Sequence, residues 1–151
     1  MASEVKPLAK DPADAFGFVI ERTAKRMKQY YQKMLRDANI SITVDQWILL
    51  KAIYQNDGSS QYEIASSTFK DAPTVTRILD LLSSKKLIER VADPSDRRKY
   101  NIKINKKGKE QVKEILPVVK SFRAKSWKGL SKSQLGEMTK LLNIVFDNLD
   151  T

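Results

Sequence analysis

The N-terminal third of the chain has the hydrophobic spacing of one long amphipathic helix. Asp11 and Pro12 form a helix-start signal, because an aspartate side chain caps free amide groups and a proline fits the first helical position. Apolar residues then recur at intervals of three and four, which places them on one stripe of the helix. The stripe consists of Phe16, Ile20, Ala24, Met27, Tyr31, Met34 and Ala38. Such a stripe requires a partner surface, whereas residues 1–10 show no periodicity and are expected to form a flexible arm.

Three shorter helices are expected next from their start signals. Thr43 and Ser60 each begin a capping box, in which a Ser or Thr and a Glu or Gln three residues later bond each other's backbone amides. Pro73 then interrupts the chain and restarts it as a further helix. The apolar side of this helix carries Val75, Ile78, Leu79 and Leu82. Its other side carries Pro73, Arg77, Asp80 and Ser84, flanked by Thr74 and Thr76. The pattern therefore predicts a tight pair of short helices, the second with polar side chains facing outward.

The hydrophobic period changes from helical to strand-like after this helix. Residues 87–91 and 100–104 are short strand-like runs separated by the polar segment 93–98, so a β-hairpin is expected. Asn105 can cap another helix, and a capping box at Ser131 starts the last one. The last helix has an apolar seam of Leu135, Met138, Leu142, Val145 and Leu149. The expected fold is mostly α with a small β-hairpin wing, of the α+β class.

The charge of the chain indicates a polyanionic partner. Lys and Arg number 28 against 18 Asp and Glu, which gives a net charge of +10 at pH 7. Nucleic acid is the commonest polyanion that such a protein binds. Ten of the cations lie between Lys85 and Lys109, together with only three acidic residues. The hairpin region therefore holds most of the net charge.

The absence of Cys and His narrows the possible chemistry. Without Cys there is no disulfide or thiolate metal site, and without His the usual general base and commonest zinc ligand are missing. We therefore expect neither an enzyme nor a cofactor or metal site. No apolar run reaches the roughly 20 residues that span a membrane, and the N-terminus lacks the apolar core of a signal peptide. A cytoplasmic protein without membrane contact is expected.

A pair of short helices followed by a basic hairpin is the order of parts in a winged helix-turn-helix, which binds double-stranded DNA. Outward Arg and Thr side chains fit the major groove, and a thin basic hairpin fits the minor groove. The expected DNA-binding residues are Ser60, Gln61, Pro73, Thr74, Thr76, Arg77, Arg97, Arg98 and Lys99. Asp93 and Asp96 are expected to hold the turn of the hairpin and to orient Arg97 or Arg98.

Several of these residues have a second interpretation. Arg77 could pair with Asp80 three residues later, and helix capping alone explains Ser60 and Gln61. Which arginine of the hairpin enters the minor groove stays open. Four aromatic residues either line a pocket for a small-molecule effector or belong to the core: Tyr30, Tyr31, Trp47 and Tyr54.

The sequence resembles the MarR family of bacterial regulators over nearly its whole length. Residues 74–80 (TVTRILD) look like the recognition helix of that family, and residues 93–98 (DPSDRR) look like its wing. The resemblance implies an obligate homodimer, a dimer body made by the first, fifth and sixth helices, and often a small-molecule ligand that weakens DNA binding. Two residues depart from the family pattern. Lys86 stands where Gly is usual, so that a left-handed conformation there costs on the order of 1 kcal/mol, and Leu81 stands where a cation is common.

Together these observations divide the chain into four parts. We expect a flexible arm over 1–10, an N-terminal dimerisation helix over 11–40, a winged helix-turn-helix DNA-binding domain over 41–105 and C-terminal dimerisation helices over 106–151. The expected function is that of a dimeric repressor of a near-palindromic operator, relieved by a small-molecule effector. The alternative is a non-specific architectural DNA-binding protein, for which the positive charge alone would suffice.

Overall fold

The computed structural model describes residues 11–150 and contains, within them, six helices and three short strands. In chain order these are α1 (Pro12–Asp37), α2 (Val44–Gln55), β1 (Ser59–Ser60), α3 (Gln61–Thr68), α4 (Ala72–Ser84), β2 (Ile88–Ala92), β3 (Tyr100–Ile104), α5 (Lys106–Ser126) and α6 (Lys132–Asn148). The strands form one antiparallel sheet in the order β1-β3-β2. The expected fold class is confirmed. The arm expected over 1–10 lies outside the described residues.

The chain divides into two compact units. The first unit ends at Val118 and holds α1 to α4, the sheet and the first part of α5. The second unit begins at Val119 and holds the end of α5 together with α6.

The helix starts follow the local signals in the sequence. The hydroxyl of Thr43 accepts a hydrogen bond from the backbone N–H of Gln46, and the side chain of Gln46 accepts one from the backbone N–H of Thr43. The same reciprocal pair occurs at Ser60 and at Ser131. All three expected capping boxes are therefore confirmed. Asn105 also caps its helix, because its side-chain oxygen accepts a hydrogen bond of 2.9 Å from the N–H of Gly108.

The core of the first unit lies between α2, α4 and the sheet. Within α4 the expected apolar side is buried, and it consists of Val75, Ile78, Leu79 and Leu82. Leu50 and Ile53 of α2 and Ile102 of β3 are buried completely. Each such side chain contributes roughly 1.5–3 kcal/mol by leaving water. Burial of its inner side fixes the opposite side of α4 towards solvent.

The apolar stripe expected on α1 is covered only near its C-terminal end. Tyr31 is buried, but its neighbour Leu35, which lies outside the expected stripe, is buried completely. Phe16, near the start of the stripe, is exposed in the single chain. The N-terminal half of α1 therefore presents apolar side chains that no other part of residues 11–150 covers.

Candidate nucleic-acid interface

A three-residue turn, residues 69–71, joins α3 to α4. Phe69 has a φ of 51°, in the left-handed region, and the backbone N–H groups of Phe69 and Lys70 bond the last carbonyls of α3. Asp71 then caps α4, because its carboxylate accepts a hydrogen bond of 2.8 Å from the backbone N–H of Thr74. This bond holds the pKa of Asp71 below its usual value. The second helix of the pair therefore starts directly from the turn with an ionised cap.

The outward side of α4 carries the residues expected to read bases. The exposed or half-buried members of this group are Pro73, Thr74, Thr76 and Arg77. Arg77 forms no ion pair within residues 11–150. Asp80, its alternative partner, instead accepts a hydrogen bond of 2.6 Å from the guanidinium of Arg90. The guanidinium of Arg77 is thus left open to a ligand in the single chain.

The start of α3 is bonded to the outward side of α4. The side-chain amide of Gln61 donates a hydrogen bond of 2.5 Å to the hydroxyl of Thr76, and that hydroxyl donates one of 3.1 Å to the carbonyl of Ala72. The hydroxyl of Ser60 caps α3 by accepting a bond from the N–H of Glu63. The helix pair itself is therefore stabilised in the single chain by the hydrogen bonds of Ser60, Gln61 and Thr76. A contact between Gln61 or Thr76 and DNA must share or replace these bonds.

The wing is the hairpin of β2 and β3 with the turn between them. The carboxylate of Asp93 accepts hydrogen bonds from both the backbone N–H and the hydroxyl of Ser95, and these bonds lower the pKa of Asp93. The carboxylate of Asp96 accepts a bond of 2.9 Å from the backbone N–H of Arg98. The three cations at this tip are all exposed: Arg97, Arg98 and Lys99. Both aspartates thus bond the turn, and Asp96 reaches Arg98 through its backbone rather than its guanidinium.

Two contacts that fix the wing were not foreseen from the sequence. Arg90 of β2 bonds Asp80 of α4, so the hairpin and the recognition-type helix are tied by an ion pair. The two-residue strand β1 pairs with β3 at Ser59 and Ser60, directly before α3. Strand β1 is too short for its period to be visible in the sequence. The ion pair joins residues ten apart on different elements, which no local pattern reveals.

The C-terminal end of α4 is held by Lys85, whose role no local sequence pattern indicates. The ammonium of Lys85 donates hydrogen bonds to the carbonyl of Ser41 at 2.8 Å and to the side chain of Gln46 at 3.0 Å. Burial lowers the pKa of Lys85, because the charged form is costly to remove from water. Lys85 therefore anchors α4 rather than extending the basic surface.

The aromatic residues considered for an effector pocket divide into two classes. Tyr31 and Trp47 are buried, whereas Tyr30 and Tyr54 are exposed. Within residues 11–150, no group of acidic side chains is arranged to hold a metal ion. None of the helices in that part of the chain is long and apolar enough to cross a membrane.

Comparison with known proteins finds the same family resemblance. The sequence model of the MarR family matches residues 40–99, which span α2 to the end of the wing turn. The HTH-type transcriptional repressor IacR of Pseudomonas putida is 26% identical over 132 residues, which cover 87% of this chain and 78% of the relative.

Two solved structures show how far the similarity of fold extends. MepR of Staphylococcus aureus, crystallised with DNA, has 27% identity and a TM-score of 0.81, with 89% of this chain and 98% of MepR covered. BpsR of Bordetella bronchiseptica, whose DNA binding is regulated by 6-hydroxynicotinic acid, has 24% identity and a TM-score of 0.77, with 86% and 97% covered. The chain is therefore similar to MarR-family transcriptional regulators, in sequence over residues 40–99 and in fold over most of its length, as its motifs indicated.

Proposed function

We propose that the protein is a homodimeric repressor that binds a specific, nearly palindromic operator in double-stranded DNA. The observation that carries this proposal is the joint placement of an outward arginine on α4 and a basic wing. The inner side of α4 is buried, and Asp80 of its outer side is bonded to Arg90 of the wing. Helix and hairpin therefore form one rigid two-part surface for DNA. The DNA-bound structure of MepR supports this use of the fold.

In this proposal α4 lies in the major groove. Arg77 is exposed and unpaired within residues 11–150, and its guanidinium can donate two hydrogen bonds to one guanine. Thr74 and Thr76 lie on either side of it and can contact a base edge, a thymine methyl group or a phosphate. Pro73 contributes an apolar contact at the start of the helix. The N-terminus of α3, with Ser60 and Gln61, lies within reach of the phosphate backbone.

The wing contacts the adjacent minor groove. Arg97, Arg98 and Lys99 are exposed at its tip, and a narrow minor groove attracts cationic side chains through its enhanced negative potential. Asp93 and Asp96 hold the turn by bonding its backbone. Because Asp96 bonds the N–H of Arg98, the position of that arginine is the better defined of the two.

A dimer with two such surfaces binds two half-sites about 34 Å apart, one turn of the double helix. The apolar side chains exposed on α1 and α6 would form the contact between the two copies in this dimer. A small-molecule effector would release the operator by changing the spacing of the two surfaces. Tyr30, Tyr31, Trp47 and Tyr54 are the candidates for its binding pocket, and the regulation of BpsR by 6-hydroxynicotinic acid is a precedent in the same fold.

The proposal is tested by selecting bound sequences from random DNA with the purified protein. We expect a two-fold symmetric consensus, bound about 10³-fold or more tightly than random DNA at physiological salt. Arg77→Ala should lower operator affinity by about 1–3 kcal/mol and relax selectivity at one position of each half-site. Arg26→Ala, which removes the same charge from the exposed surface of α1, is the control and should change neither.

The wing is tested by the double substitution of Arg97 and Arg98 with Ala. We expect weaker binding to all sequences and a salt dependence that is shallower by about one unit for each lost phosphate contact. A preference of only a few-fold over random DNA for the unchanged protein would favour a non-specific architectural role instead.

A further inference from the structure

We propose that Asp45 is a positioning residue for DNA binding, which fixes the turn between α3 and α4 to the first two helices through two lysines. The group of Lys28, Asp45 and Lys70 is called the Asp45 cluster below. The inference rests on the proposed function, because it concerns how the α4 surface is held before it meets DNA. None of the three residues belongs to the expected DNA-binding set.

The Asp45 cluster joins three separate elements. Asp45 lies in the first turn of α2, and its two carboxylate oxygens accept hydrogen bonds from different lysines. Lys28 of α1 bonds one oxygen at 2.8 Å, and Lys70 of the turn bonds the other at 3.0 Å. A single carboxylate thus connects the long N-terminal helix with the helix-turn-helix.

The bonds from Lys28 and Lys70 to Asp45 differ in strength because the two lysines differ in burial. The side chain of Lys70 is only 18% exposed and that of Asp45 is 34% exposed, whereas Lys28 is 58% exposed. Exposed ion pairs contribute little, so the bond from Lys28 is weak. Removing Asp45 would leave the ammonium of Lys70 in a sheltered place with no ion-pair partner within residues 11–150, which is costly. The bond between Lys70 and Asp45 is therefore the one that holds the turn.

The position of Lys70 in the chain explains why the turn needs such a bond. It follows Phe69, a bulky residue in the left-handed conformation, where the β-carbon is crowded and the backbone is strained. It precedes Asp71, the cap of α4. Releasing Lys70 would let residue 69 relax and would move the cap, and with it the first turn of α4 that carries Thr74 and Arg77. Asp45 therefore acts on DNA affinity without touching DNA.

The competing interpretation is that Lys70 itself binds a phosphate. Both interpretations predict that Lys70→Met weakens operator binding, but they differ for Asp45. A phosphate-binding lysine is released when Asp45 is neutralised, so Asp45→Asn would then strengthen binding. A lysine that holds the turn loses its anchor, so Asp45→Asn weakens binding.

The experiment compares Asp45→Asn, Lys70→Met and the double variant in operator titrations over a range of salt concentrations. We expect each single variant to lose on the order of tenfold in affinity, the usual size of coupling between sites. The double variant should lose no more than either single one, since both break the same bond. The slope of log Kd against log salt should stay unchanged, because no phosphate contact is lost. Asp45→Glu, which keeps the carboxylate, should retain most of the affinity of the unchanged protein.

Lys33 and Asp37 provide a matched control on the surface of α1. They form an i,i+4 ion pair in which both side chains are 62% exposed, so Lys33→Met and Asp37→Asn make the same chemical changes without a buried charge. We expect operator affinity to stay within about twofold for both.

Hydrogen exchange adds a local readout: amides from residue 70 to 77 should exchange faster in Asp45→Asn, while those of α5 should not. If Asp45→Asn fails to fold, the Lys70→Met and double variants, which leave no sheltered ammonium, carry the same comparison.

Two results would overturn the inference while the proposed function stands. One is an unchanged operator affinity in Asp45→Asn and Lys70→Met. The other is a gain of affinity in Asp45→Asn together with a slope that falls by about one unit in Lys70→Met, which would make Lys70 a phosphate ligand. Failure of the unchanged protein to select any operator would instead remove the proposed function and the inference with it.

Discussion

Lys86 follows the last turn of α4 with a φ of 59°, in the left-handed region that favours glycine. The surrounding bonds impose this conformation. The N–H of Lys86 bonds the carbonyl of Ser83 and the N–H of Leu87 bonds that of Leu82, which is the Schellman pattern of a helix end. Asn105 adds a bond of 2.7 Å from its side-chain amide to the carbonyl of Lys86. The cost expected from the sequence for a left-handed Lys86 is therefore present, and the bonds of the turn offset it.

Replacing Lys86 with glycine should relieve this cost. We expect Lys86→Gly to raise the free energy of unfolding by up to about 1 kcal/mol, because glycine adopts the left-handed region without a steric penalty. The melting temperature should rise by about 2–4 °C in thermal unfolding followed by circular dichroism. Lys86→Ala is the control, since it removes the charge but keeps the β-carbon, and it should bring no gain. An equal gain in both variants would show that charge rather than conformation limits stability here.

At the residue scale, the sequence predicted what depends on near neighbours. The caps at Thr43, Ser60 and Ser131 were predictable because each involves residues only three positions apart. The partners of Lys70 and Lys85 were not, because they lie 25 and 39 positions away and meet only once the helices pack. Charge counts alone placed Lys85 in the basic surface, although its ammonium is turned to the carbonyl of one residue and the amide of another.

At the scale of elements, the wing and α4 act together because Arg90 bonds Asp80. Asp80 lies on the outward side of α4 and is 61% exposed, whereas Arg90 is 29% exposed. In the proposed complex with DNA, an unpaired carboxylate on α4 would repel phosphates. Arg90 therefore neutralises Asp80 and also ties β2 to the helix. The pattern of apolar residues placed both elements correctly but did not reveal this bond, since Arg90 looked like one more cation of the wing.

Removing Arg90 should expose that carboxylate to DNA. We expect Arg90→Met to lower operator affinity by up to about fivefold, in line with the 0.2–1 kcal/mol that an exposed ion pair contributes. Adding Asp80→Asn to Arg90→Met should recover most of the loss, because no negative charge then faces the phosphates. Fluorescence anisotropy with labelled operator measures both steps. A double variant as weak as the single one would mean that Arg90 itself contacts DNA.

At the scale of the whole molecule, the apolar side chains of α6 are not covered by the rest of residues 11–150. No side chain of α6, which the structure describes in full, is buried in the single chain. The seam expected from the sequence is half-buried at Leu135 and exposed from Met138 onward, up to 73% at Leu149. Exposed apolar surface of this extent marks an interaction site. The sequence predicted the seam, because its spacing is local, but what covers the seam does not follow from a local pattern, and a second chain there stays a prediction.

We expect a second copy of the chain to cover this seam, so a charge placed in it should separate the dimer. Leu142→Asp would put a carboxylate into an apolar interface, which costs several kcal/mol, and should yield a monomer in analytical ultracentrifugation. Operator affinity should fall by about 10²-fold or more, because the two half-sites no longer bind as one linked event, while affinity for an isolated half-site should change little.

Lys140→Glu is the control. Lys140 lies about 160° away from Leu142 around the same helix, so its substitution should leave the dimer intact although it changes the charge by more. If Lys140→Glu dissociates the dimer as fully as Leu142→Asp, repulsion between helices rather than loss of the apolar seam is responsible. If Leu142→Asp remains dimeric, the copies join elsewhere, and the apolar N-terminal half of α1 becomes the surface to test.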